Sequence, residues 1–153
     1  MSFKDFFMSR DKKKRISHVC NLVALSRMDG VMTPEEQEII LDVAEESGMT
    51  QEELDKILAH PDEVKFYKPR KEVDRIEELY DLVALMMVDG DIDENEMALC
   101  HLVAEKMGFE PAVINIMVAD IMHMIAKEVV FEAGVQKILE DIGFTGDEED
   151  DEE

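Results

Sequence analysis

Two apolar runs set the pattern of this chain. Leu22-Val23-Ala24-Leu25 and Leu82-Val83-Ala84-Leu85 stand sixty positions apart, and each is soon followed by an Asp-Gly pair, Asp29-Gly30 and Asp89-Gly90. A second shared pattern follows at the same spacing, Val43-Ala44-Glu45 with Gly48 and Val103-Ala104-Glu105 with Gly108. Between residues 20–54 and 80–114, eleven of 35 positions are identical. Around the runs, apolar residues recur at helical spacing. Ile16, Val19, Cys20 and Val23 do so in the first copy, an inner stripe that Arg27 continues out of character, and Val73, Ile76, Tyr80, Val83 and Met87 in the second.

Capping residues place the ends of these helices. Thr33-Pro34-Glu35-Glu36 combines an N-cap Thr, a Pro at the first helical position and a Glu that closes a capping box. Thr50 with Glu53 and Asp93 with Glu96 repeat the device, while Gly48, Gly108 and Gly143 suit the left-handed position just past a helix. His60-Pro61 stops the third helix. The pattern predicts helices over about 16–28, 34–47, 51–59, 71–88, 94–107, 111–126 and 129–141. The expected fold is all-α, a single helical bundle of about seven to eight helices built from two duplicated three-helix units. Repeat one covers about 16–60, repeat two about 71–127, and a closing helix about 129–141. From Ala112 to Ala126 the only polar residues are Asn115, Asp120 and His123, which predicts a helix buried on most sides at the centre of the domain.

Composition sharpens this picture. The chain has 153 residues, 46% of them apolar, which is enough for one domain with its own core. Twelve Met and no Trp fit an adaptable helical interior. Cys20 and Cys100 sit at apolar-phase positions and read as reduced core residues, as expected in the cytoplasm. The start shows no apolar signal region and no stretch is apolar enough for a membrane span. The net charge of −22 argues against nucleic acid as a partner and favours cations or basic protein partners on an acidic surface.

The charge is unevenly spread. Residues 1–15 form a basic arm of net +4 in which Phe3, Phe6 and Phe7 share one helical face. Two readings of the arm stand open, a peripheral contact with the inner face of an anionic membrane and a stripe that docks on its own domain. Lys65, Lys68, Arg70, Lys71 and Arg75 form a second basic cluster between the copies, either a basic ridge or a solvated loop. Residues 144–153 end in Asp-Glu-Glu-Asp-Asp-Glu-Glu, an acidic tail expected to stay disordered.

The Asp-Gly turns are the candidate chemistry. With Gly90 placed at loop position 6 of a calcium-binding EF-hand, Asp89, Asp93 and Glu96 fall at ligand positions 5, 9 and 12. Positions 1 and 3 are Leu85 and Met87, or Leu25 and Arg27 in the first copy, which cannot bind a hard cation, so neither turn is an EF-hand. Glu36 and Glu96 are explained as capping residues without a metal. Asp29 and Asp89 are not, because a carboxylate in the last turn of a helix opposes the helix dipole at a cost of about 0.3–1 kcal/mol. Hydrogen bonds to free amides would offset that cost, and so would a divalent cation such as calcium. The candidate metal residues are therefore Asp89, Asp91, Asp93 and Glu96 in the more acidic second turn, with Asp29 and Glu36 in the first. Asp120 and His123, one helical turn apart, could poise a histidine, although such a pair is more often a satisfied buried hydrogen bond. No nucleophile motif, His-Glu-x-x-His or phosphate-cradling Gly loop occurs, so a non-enzymatic protein without an organic cofactor is expected.

The run from Leu82 to Glu96, with its weaker copy from Leu22 to Glu36, resembles the TerB family, the helical domain named for tellurite resistance. The resemblance spans about residues 16–142. It implies an all-helical fold with duplicated halves and a cytoplasmic, membrane-adjacent role in stress or metal-resistance complexes. It also implies metal-binding acids, which would be Asp29, Glu36, Asp89 and Glu96. Met28 and Val88 stand where the family usually has a small residue before Asp-Gly, and the Phe-rich arm and acidic tail are further departures.

Overall fold

The computed structural model describes residues 12–28, 32–88 and 90–143, and within them the ordered structure is helical. The helices are α1 (Lys12–Met28), α2 (Pro34–Glu46), α3 (Gln51–Ala59), α4 (Glu72–Met86), α5 (Glu94–Lys106), α6 (Pro111–Ala126) and α7 (Phe131–Asp141), with a 3-10 turn at Pro61–Glu63. None of them is long and apolar enough to cross a membrane.

The caps form as the sequence requires. Thr33 Oγ1 accepts from the Glu36 amide at 3.1 Å while the Thr33 amide donates to Glu36 Oε1 at 3.0 Å. Thr50 and Glu53 repeat this at 3.1 and 2.9 Å. At the far ends of α2 and α5, Gly48 (φ +83) and Gly108 (φ +99) take the left-handed position. The next residues close the same 6→1 bond, Met49 N–H to the Ala44 carbonyl at 3.1 Å and Phe109 N–H to the Ala104 carbonyl at 3.2 Å.

Two compact units are distinguished, one of residues up to 67 with 85–99, the other of residues 68–84 with 100 onward. In the first, α1 packs against α2. Every residue of α1 from His18 to Ser26, except half-buried Cys20, is buried. Three polar side chains of α1 tie the unit together. Arg15, only 8% exposed, donates Nε–H to the Ser47 carbonyl at 3.2 Å, and Ser47 Oγ donates back to the Arg15 carbonyl at 3.3 Å. Asn21 accepts from the Tyr67 amide at 2.7 Å and donates to the Tyr67 carbonyl at 3.2 Å, as a strand neighbour would. Arg27 reaches the Pro61 and Val64 carbonyls at 3.1 and 3.4 Å.

These contacts correct two expectations. The first helix begins at Lys12, earlier than its apolar spacing predicts, and its first turn is anchored by Arg15 on the buried carbonyl of Ser47 that ends α2. Arg27 is exposed rather than part of an inner stripe.

In the second unit, α6 packs on α7, and a Cβ at Gly134 would stand 2.9 Å from Met124 Sδ, so the two helices meet closely there. The Tyr80 hydroxyl donates to the Val129 carbonyl at 2.7 Å, and its ring meets Phe131 edge-on at 5.5 Å. The expectation for 112–126 is also corrected. Ala112, Asn115, Ile116, Ala119, His123 and Ala126 are exposed along one side of α6, with Ile116 at 44%. Three of these are alanines, whose small apolar area costs little in water. The segments buried all round are instead 21–26 and 78–86.

Candidate functional site

The second Asp-Gly turn opens onto a cleft of about 200 Å³ within the first unit. Its walls come from α2 (Asp42, Val43, Glu45, Glu46), the end of α4 (Leu85, Met86), the turn (Gly90, Asp91) and α5 (Glu96). Five of these nine residues are acids and none is a base. On α2, Asp42, Glu45 and Glu46 lie at i, i+3 and i+4, one solvent-side ridge that the helix repeat holds together.

Glu96 is fixed most tightly. Its Oε1 accepts the Asp93 amide at 2.9 Å and its own amide donates to Asp93 Oδ1 at 2.8 Å, a third reciprocal cap. Partial burial pushes its carboxyl above the usual carboxylate range, and the charges of Asp93 and Asp42 push the same way, against the Asp93 amide bond. The site is therefore short of positive charge, and a cation placed there would lower the Glu96 pKa again.

The predicted metal residues separate into three groups. Asp91 and Glu96 share the cleft. Asp93 is exposed and serves as the α5 N-cap, and Glu36 closes the α2 box on Thr33 as Glu96 does on Asp93. Asp29 and Asp89 lie outside the described residues, as do Phe3, Phe6, Phe7 and the acidic run 147–153. Among the described residues, no group of three or more His, Cys, Asp or Glu side chains is arranged to hold a metal ion. Sequence reasoning missed Asp42, Glu45 and Glu46. Their i, i+3, i+4 spacing was visible, but not that this ridge faces the turn at 90–96.

In the second unit, Asp120 is half-buried and His123 exposed. Burial, together with a hydrogen bond to Asp141 and that residue's charge, raises the Asp120 carboxyl pKa, with Lys137 and His123 opposing. Asp141 is shifted downward by its bonds to Lys137 and Asp120, the Lys137 ion pair measuring 2.8 Å. The Asp120 carboxyl is thus set chiefly by burial and by Asp141, with His123 a smaller opposing influence. Cys100 is a buried thiol outside any disulfide, and Cys20 a half-buried one whose pKa burial raises.

Compared with known protein families, known proteins and solved structures, the chain shows no match.

Proposed function

We propose that this chain is a non-enzymatic, TerB-like module of a cytoplasmic stress or metal-resistance complex, built on two versions of one three-helix unit. Its working surface is the acidic cleft of the first unit, which receives a lysine or arginine side chain of a basic protein partner. The observation that carries this reading is the cleft itself, five carboxylates from α2, the 90–91 turn and α5 around about 200 Å³ with no base among its walls. Such a site concentrates positive charge and speeds encounter with a basic surface.

A second reading places a divalent cation such as calcium in the same cleft. It is favoured by Asp91 and Glu96, two of the sequence-predicted ligands, lining the cleft beside Asp42 and Glu46. Against it stands the capping pair, since Asp93 Oδ1 and Glu96 Oε1 already hold amides as their counterparts do at Thr33 and Thr50.

Calorimetric titration separates the two. A lysine-rich peptide should bind the wild type, and binding should be lost in an Asp42→Asn/Asp91→Asn double variant whose melting curve is unchanged. Calcium heat in the wild type, abolished in the same variant, would replace the first reading with the second. No heat from either ligand overturns both.

A further inference from the structure

Helix α6 turns a side without Asp, Glu, Lys or Arg to water. Ala112, Asn115, Ile116, Ala119, His123 and Ala126 are exposed there, and Met122 is half-buried at its edge. Ile116 is one of four large apolar side chains left exposed among the described residues. Such a side stands out in a chain of which 35% is charged. By contrast, α2 shows Glu35, Glu38, Asp42 and Glu45 to solvent, and α7 shows Glu132, Lys137, Glu140 and Asp141. The one acid of α6, Asp120, is half-buried and hydrogen-bonded to Asp141.

This side also has the same order of residue types read from either end. Its middle is Ala119. Three positions away on either hand stand Ile116 and Met122, both large and apolar. Four positions away stand Asn115 and His123, both polar, and seven positions away Ala112 and Ala126. A second copy of α6 laid antiparallel, about a two-fold axis at Ala119, therefore brings alanine level with alanine. The Asn115-Ile116 pair comes level with Met122-His123. An isologous contact requires such a self-complementary patch.

From this pattern we infer that the exposed side of α6 is the contact of a two-fold, antiparallel dimer of this chain. Charge supports a second copy as the occupant. Each copy carries −22, so two copies repel over most of their surfaces, and the exposed side of α6 adds no carboxylate to that repulsion. The alanines at the crossing allow the close end of helix packing, an axis separation of about 8 Å. The 16 residues of α6 span about 24 Å. One helix face of that length buries less than the roughly 1,200 Å² of a stable interface, so the dimer is weak and reversible and forms at high protein concentration. Because net repulsion opposes an apolar contact, salt promotes the dimer, the reverse of its effect on an acid–base interface.

The test is sedimentation equilibrium of the full chain at millimolar concentration. The dimer fraction should rise several-fold from low salt to about 0.5 M NaCl as screening removes the repulsion. Ala119→Glu sets two carboxylates at the axis and should abolish association, with the melting curve of dilute protein unchanged. Oxidative cross-linking reads the register independently of that variant. Ala119→Cys should form a covalent dimer above the background of the wild type, whose own thiols are Cys20 and Cys100. Ala112→Cys should not, because its two copies stand about 21 Å apart along the crossing, far beyond the roughly 7 Å that a disulfide spans. A monomer at every salt concentration overturns the inference. So does a dimer that dissociates as salt rises, one that Ala119→Glu leaves intact, or equal cross-linking at positions 112 and 119.

Discussion

Asn21 offers the sharpest test of how the first unit is held. Its side chain is 2% exposed and makes two bonds to one backbone residue, 2.7 Å from the Tyr67 amide and 3.2 Å to the Tyr67 carbonyl. Asn21→Ala removes both and leaves a partly buried donor and acceptor without partners. Each bond contributes about 0.5–1.5 kcal/mol net, and stranding the donor adds about 1 kcal/mol or more, for an expected loss of about 2–3 kcal/mol. For a chain of this size that lowers Tm by about 5–10 °C. Asn21→Asp should cost more, since it sets a carboxylate against the Tyr67 carbonyl in a site closed to water. The control is Asn115→Ala, the same residue type on the exposed side of α6, which should stay within about 0.5 kcal/mol. The assay is urea unfolding followed by far-UV circular dichroism. If Asn21→Ala costs no more than Asn115→Ala, the strand-like clasp on Tyr67 contributes nothing and the account of the first unit is wrong.

Three further outcomes follow from the same geometry. Tyr80→Phe keeps the edge-on contact with Phe131 but strands the Val129 carbonyl, and should lose about 1 kcal/mol in the same unfolding assay. Glu96→Gln keeps the cap acceptor and removes a charge that the cleft disfavours. Because the folded pKa lies above 4.5, the ionised form costs stability that appears as pH rises past that value. The variant should therefore compare more favourably with wild type at pH 7 than Glu36→Gln does, by a few tenths of a kcal/mol after solvent screening, and lose that advantage below pH 4.5. An advantage independent of pH would refute the electrostatic reading. Asp120→Asn should raise Tm at neutral pH for the same reason, and the gain should close as pH falls below 3.8, where Asp120 is protonated in both states. A variant less stable than wild type at pH 7 contradicts the reading that burial and Asp141 disfavour the Asp120 charge.

Much of the helical layout was legible because caps are local. Thr33, Thr50 and Asp93 with their Glu partners, and Gly48 and Gly108, act within a few residues of themselves, so the sequence carries their full meaning. Tertiary context was less accessible. Asn21 is not among the apolar positions that mark the first helix, yet it is buried because a backbone 46 residues away offers both of its bonds. Ser26 Oγ is also buried, with no hydrogen-bond partner, and nothing in the structure explains it. The segment 112–126 erred the other way, since its alanines look apolar in the sequence while costing little on the surface. The cleft was half visible. Asp91 and Glu96 were named from the turn, whereas Asp42, Glu45 and Glu46 join them only through the approach of α2, which no local pattern encodes.

The central claim is that the carboxylates around the second turn act together as a receptor for positive charge. Titrating the isotopically labelled protein with a lysine-rich peptide at low salt, and following every amide, tests it most directly. The account predicts a saturable footprint over residues 42–46 and 90–96 that fades as salt is raised. A footprint spread evenly over the exposed acids, or one that leaves those two segments unmoved, would contradict it.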